Sequence, residues 1–132
     1  MKFIKRRTLL IISSLIIILD QISKYMVSRT LTEVQSVELI RNIIHLRLVT
    51  NTGAAFNILS NYTSILTLLS LLVSLILLSM IYRNKRLRIT KGLGLASLLG
   101  GSLGNGIDRL YMGHVIDFIE FKPIIFPIFN IA

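Results

Sequence analysis

The side chains that could do chemistry in this 132-residue chain are few: it has no cysteine, two histidines and six carboxylates. Without a thiol, cysteine nucleophiles, cysteine-based zinc sites and redox switching are excluded. His45 and His114 have no further ligands at helical spacing beside them, so neither a metal nor a cofactor is expected. Among the carboxylates Asp117 stands apart. It sits in the apolar stretch Val115-Ile116-Asp117-Phe118-Ile119, and Lys122 is the one cation within six residues of it. A carboxylate in such a setting has its charged form disfavoured, which raises its pKa and suits it to acid or base work near neutral pH. The bland alternative is an exposed aspartate on a strand. Glu120, three residues on, falls on the opposite face of a strand and is a poor partner for it.

Other acids come with cations. Asp20 and Lys24 are i and i+4 on a helix with the acid on the N-terminal side, so they can neutralise each other, as a structural anchor or in support of a site. Asp108 and Arg109 are neighbours in sequence and point about 100° apart on a helix, so their partners are expected elsewhere. Both pairs border apolar runs, where a charge is costly unless it is paired or wet.

Those runs define the elements that must position the charges. Hydrophobic residues make up 53% of the chain and charged ones 16%, whereas soluble domains average about 45–50% and about 25%. That balance excludes an ordinary soluble globule, and high hydrophobicity excludes disorder. The length fits one domain, residues 1–132. A bilayer-crossing helix needs about 20 mainly apolar residues. Tyr62 to Tyr82 meets this cleanly, with a tyrosine at each end. Thr8 to Leu19 is short and must borrow Asp20 to Val27, and Gly92 to Ile107 is glycine-rich and runs into Asp108 and Arg109. Three spans are therefore predicted. Gly100 and Gly104, with Gly92, Gly94 and Gly101, are predicted to form a helix-packing surface.

The net charge of +9 sits at the ends of these runs, as bilayer orientation requires, and not along one face as in a nucleic-acid binder. Lys2, Lys5, Arg6 and Arg7 precede the first run, and Arg83, Lys85, Arg86, Arg88 and Lys91 separate the second from the third. Nine basic residues on that side against four (Arg29, Arg41, Arg47 and Lys122) predict a cytoplasmic N-terminus, with residues 28–61 and everything from Leu110 outside. The N-terminus looks like a secretory signal, but Asp20, Gln21 and Lys24 stand where a cleavage site would be, so an uncleaved first helix is expected. Two outer segments, Asn42 to Val49 and Gly113 to Phe121, alternate as strands that could pair above the helices. In the first, His45, Arg47 and Val49 are predicted to share a face.

Four blocks taken together resemble the lipoprotein signal peptidases, the signal peptidase II family of bacterial membrane aspartic proteases. They are D-Q-I-S-K from Asp20, N-T-G-A-A-F from Asn51, G-N-G-I-D-R-L-Y-M-G-H-V-I-D-F from Gly104 and F-N-I-A from Phe129. The resemblance implies a membrane all-α bundle with a small extracytoplasmic β-cradle, in the bacterial cytoplasmic membrane. It also implies the reaction: cutting a prolipoprotein's signal peptide just before a diacylglyceryl-modified cysteine, with no metal and no nucleic acid. Asp117 falls on the first of the family's two catalytic aspartates. Asn51, Asn105 and Asn130 fall on polar contacts to substrate, Gly53 on a close-approach glycine, Asp108 with Arg109 on a bracing pair, and Asp20 with Lys24 on the first-helix pair. The second aspartate and a fourth helix would follow Ala132. A chain ending there is expected to be inactive, and the alternatives are a non-catalytic binder of lipidated peptides or a small transport or assembly subunit.

Overall fold

The computed structural model describes residues 2–84 and 86–132, so Lys85 of the second basic cluster lies outside the described residues. The elements run β1 (Phe3–Ile4), α1 (Arg6–Thr30), β2 (Ser36–Ile40), β3 (Ile44–Asn51), a 3-10 turn (Ala55–Asn57), α2 (Thr63–Arg83), β4 (Leu87–Arg88), α3 (Ile89–Met112) and β5 (Val115–Phe121). Two helices, α1 and α2, are long and apolar enough to cross a membrane. At 24 residues α3 has the length, but its glycines and its polar C-terminal end dilute its apolar character.

Helix α3 packs against both others, while α1 and α2 scarcely meet. The reason lies in a repeat of four. Gly92, Ala96, Gly100, Gly104 and Asp108 are all buried along one face of α3, and that face receives Leu9, Ser13, Asp20 and Lys24 of α1. A β-carbon on Gly100 would stand 2.8 Å from Ile16, and one on Gly104 would stand 2.7 Å from the Asp20 carboxylate. Small residues at this spacing let two helices approach closely where no hydrophobic effect drives them together. The predicted helix-packing surface is thus real at Gly92, Gly100 and Gly104, whereas Gly101 meets the backbone of Ala132 in the C-terminal segment and Gly94 faces open space.

Hydroxyls lock the register on both flanks of α3. Ser13 Oγ donates to Ala96 O (3.0 Å) from α1. Ser102 Oγ donates to Ser70 O (2.9 Å) and pairs with Ser74 Oγ (3.1 Å) on α2. Such bonds average about 0.6 kcal/mol in a bilayer protein, so they select one alignment more than they stabilise it. Away from these seams the helices turn apolar side chains outward, Leu68 and Leu98 among them.

At one end, β2, β3 and β5 form an antiparallel sheet in that order, and Ile116 and Phe118 of β5 bury against Val27 near the end of α1. The two strands predicted from alternation are β3 and β5, and they do pair. The predicted faces of β3 need correction. Leu46 opposes Ile119 but Val49 opposes Asp117, so β3 carries one extra residue between them. Such a bulge flips every later side chain to the other face. Val49 and Asn51 are therefore on the face of Asp117, and His45, opposite Glu120, is not. At the other end β1 and β4 make a two-stranded ribbon, and Ile4 packs over Gly92.

Candidate active site

Asp117 is 6% exposed, so its carboxylate has exchanged water for whatever the fold supplies. Two amides are supplied. Asn51 Nδ2 donates to Oδ2 at 2.9 Å, and Asn130 Nδ2 donates to Oδ1 at 2.7 Å. Asn51 reaches it because of the bulge in β3. Asn130 reaches it because Phe129 pairs with Ile119 through backbone bonds of 2.8 and 3.0 Å, which lays the last residues along the free edge of β5. Burial pushes the Asp117 carboxyl above the usual carboxylate range, opposed by the hydrogen bonds from Asn51 and Asn130 and by the charges of Lys24 and Arg109. Lys122, the nearest cation in sequence, is instead paired with Glu120 at 3.0 Å.

Behind Asp117 the network continues into the helices. Asn130 Nδ2 also approaches Asn105 Oδ1 (3.0 Å), and Asn105 Oδ1 accepts from Lys24 Nζ (3.0 Å). Lys24 Nζ lies 2.7 Å from Asp20 and 2.6 Å from Asp108. The i, i+4 pair expected of Asp20 and Lys24 forms, but its cation is shared between two acids. Asp108 and Arg109 do find separate partners. Asp108 takes Lys24 together with Gln21 Nε2 (2.8 Å), while Arg109 Nη2 donates to Gly53 O (2.9 Å).

Arg109 thereby ties α3 to the loop after β3. In that loop Asn51 Oδ1 accepts from Gly53 N (2.9 Å), so the same amide that serves Asp117 also shapes the turn. A β-carbon on Gly53 would lie 2.8 Å from Ile58 O; only glycine fits so close to another backbone. The next residues bring Phe56, with φ of 56°, to meet the Phe126 ring edge-on at 6.4 Å. Asn51, Phe56, Asn105, Asp117, Phe126 and Asn130 line one cavity of about 510 Å³. Its lining combines apolar side chains with three amides and the carboxylate, which suits an extended peptide beside Asp117.

All of the residues singled out in the sequence (Asp20, Lys24, Asn51, Gly53, Asn105, Asp108, Arg109, Asp117 and Asn130) thus belong to one hydrogen-bonded network. Four further residues at the site were not anticipated. Gln21 bridges Asp108 and Gly104 O, and its place beside Asp20 in the first block was the available signal. The Ala132 amide donates to Asp20 Oδ1 (3.1 Å) and Asn130 Oδ1 (2.9 Å). Phe56 and Phe126 flank the cavity; the place of Phe56 at the end of the second block was the available signal, while Phe126, outside every block, carries none.

Comparison with known proteins shows the family. A family model described as signal peptidase (SPase) II matches residues 12–132. The lipoprotein signal peptidase of Nostoc punctiforme is 44% identical over 129 residues, covering 98% of this chain and 82% of that protein. That of Parasynechococcus marenigrum is 43% identical over 129 residues, covering 98% and 81%. A solved bacterial membrane enzyme superposes with a TM-score of 0.88 at 30% identity, covering 94% of this chain and 77% of its own. The chain belongs to the signal peptidase II family.

Proposed function

We propose that this protein removes signal peptides from diacylglyceryl-modified prolipoproteins at the outer face of the bacterial cytoplasmic membrane, with Asp117 as one acid of an aspartic pair. The observation that carries it is a buried carboxylate held by two amides in the lining of a peptide-sized cavity. In its ionised form Asp117 takes a proton from the attacking water, and in its protonated form it donates to the scissile carbonyl. Two carboxylates sharing one proton provide both forms at once. The second acid is assigned to the position after Ala132, as the family resemblance implies. Ala132 lines the cavity that holds Asp117, which supports that assignment.

Asn51, Asn105 and Asn130 orient Asp117 and bind the peptide backbone. Arg109 fixes the loop after β3 through Gly53 O. Asp20, Lys24 and Asp108 brace α1 against α3. The proposed topology has three spans in this chain and a fourth beyond it, with the N-terminus inside and the three-stranded sheet as the outer cradle.

The test is cleavage of a diacylglyceryl-modified precursor in detergent. The chain is used as it stands, and also extended by an aspartate and an apolar fourth helix. The extended form is expected to cleave and the 132-residue form is not. Asp117→Asn in the extended form keeps the shape but cannot move the proton, and loses about 10²- to 10⁴-fold in rate. Cleavage within a few-fold of the unmodified enzyme would remove Asp117 from the chemistry, and binding without cleavage by the extended form would favour the non-catalytic reading.

A further inference from the structure

The proposed site leaves the most strongly charged part of the molecule without a role. Residues 2–7 and 83–91 contain nine Lys and Arg and no carboxylate, and so hold the whole net charge of +9; elsewhere six cations balance six acids. The fold pins the two segments side by side. Phe3 pairs with Arg88 and Ile4 with Leu87, and Ile89 N donates to Lys2 O at 3.3 Å.

Beside this ribbon a cavity of about 460 Å³ is lined by Lys5, Arg6, Arg7 and Asn84. Two of its walls are fixed. The Arg6 guanidinium lies 4.7 Å from the centre of the Tyr82 ring on α2, and Asn84 Nδ2 donates to Met80 O at 2.7 Å. None of the three cations forms an ion pair among the described residues. Orientation in a bilayer asks only that such charges lie on one side; it does not ask three of them to surround one space, where they repel. The first turn of α1 has no acid, and its N-cap Lys5 makes no side-chain hydrogen bond, so the positive end of the helix adds to the same field.

We propose that this cavity binds the phosphodiester of an anionic phospholipid. A phosphate there turns mutual repulsion into attraction and gives the guanidinium of Arg7 and the ammonium of Lys5 an acceptor. A lipid is the source, and not a free anion, because the cavity sits at the end of two helices apolar enough to cross a membrane. Exposed Ile11 and Leu15 continue along α1 from it, giving acyl chains a surface to lie on. Basic pockets between spanning helices on the cytoplasmic side are suited to such headgroups. The site is remote from Asp117 and independent of the catalytic assignment.

The experiment is a titration of the full chain in a neutral detergent, at about physiological salt, with phosphatidylglycerol, phosphatidylcholine and inorganic phosphate, read by native mass spectrometry. Saturable binding of one phosphatidylglycerol is expected. Lys5→Gln with Arg7→Gln should weaken it by about fivefold for each cation. Arg88→Gln with Lys91→Gln, an equal loss of charge outside the cavity, should stay within about threefold because screening limits longer-range effects. An independent readout needs no variant: bound phosphatidylglycerol should protect Lys5, and not Lys91, from an amine-acylating reagent. Equal weakening by both pairs, equal binding of phosphatidylcholine, displacement by inorganic phosphate at matched concentration, or equal protection of the two lysines would each overturn the proposal.

Discussion

Replacing Lys24 with methionine keeps an unbranched stem of similar length and removes the charge on which the α1–α3 seam depends. The ammonium lies 2.7 Å from Asp20, 2.6 Å from Asp108 and 3.0 Å from Asn105. Both acids are buried, at 0% and 1% exposure. Losing one partner of a buried ion pair costs about 3–5 kcal/mol, because the other charge stays behind. Here one cation serves two carboxylates, which argues for the upper part of that range. Gln21 and the Ala132 amide still donate to these acids, which argues against a larger cost. Unfolding by sodium dodecyl sulfate in mixed micelles, followed by helical circular dichroism, measures the difference. A second substitution separates charge from packing: adding Asp108→Asn to Lys24→Met removes one of the stranded charges, so the double variant should recover about 1–3 kcal/mol relative to the sum of the singles. Strict additivity, or a Lys24→Met loss below about 0.5 kcal/mol, would refute the shared-cation account.

The orientation is checked by fusing a reporter that is active only outside the cytoplasm after Arg88 and after Lys122; activity at the second site alone is expected, and the reverse pattern would place Asp117 on the wrong side of the membrane. Asp117 should also leave a mark on stability against pH. Its carboxyl is held above its ordinary value of 3.8 by burial, so the folded chain keeps a proton that the unfolded chain has lost. Stability therefore falls as pH rises from that value through the raised one, and is unaffected by this group below both. Asp117→Asn should abolish that slope, and Asn51→Ala should move its upper limit further up by removing a bond to the charged form; an unchanged slope in Asp117→Asn would contradict the burial argument.

Which parts of this molecule could be read in advance follows from which signals repeat. The helices carry long apolar runs, and their boundaries moved mostly outward, α1 reaching Arg6–Thr30 and α3 Ile89–Met112. Gly113, in the left-handed region at φ 75°, closes α3 where a β-carbon would be strained. Strands β3 and β5 carried alternation. Strand β2 did not, being exposed at every position, and the ribbon of β1 and β4 has two residues a side, too few for any period. The bulge in β3 was invisible for a different reason. A single extra residue leaves composition untouched, yet it decides that Asn51 and not Thr50 faces Asp117. The charged residues at the site were legible because an apolar chain has so few of them, whereas Asn51, Gly53, Asn105 and Asn130 came only from the resemblance of the four blocks. The pairing of the charges was not legible, since Lys24 meets Asp108 across 84 positions of sequence and only the approach of α1 to α3 at Gly104 brings them together.

The charges around the site set Asp117 apart from the other acids of the network. Three aspartates, Asp20, Asp108 and Asp117, share the network with two cations, Lys24 and Arg109. Lys24 is in contact with the first two acids. Arg109 is turned to Gly53 O, and at Asp117 it acts only as a charge at longer range. Asp117 is thus the acid whose direct partners are amides, and amides stabilise a carboxylate without neutralising it. A proton taken up at Asp117 would sit beside the cavity and not within the helix seam. The seam of Lys24 with Asp20 and Asp108 engages the ammonium in two ion pairs, so at Asp117 it too acts as a charge at longer range and not as a direct partner.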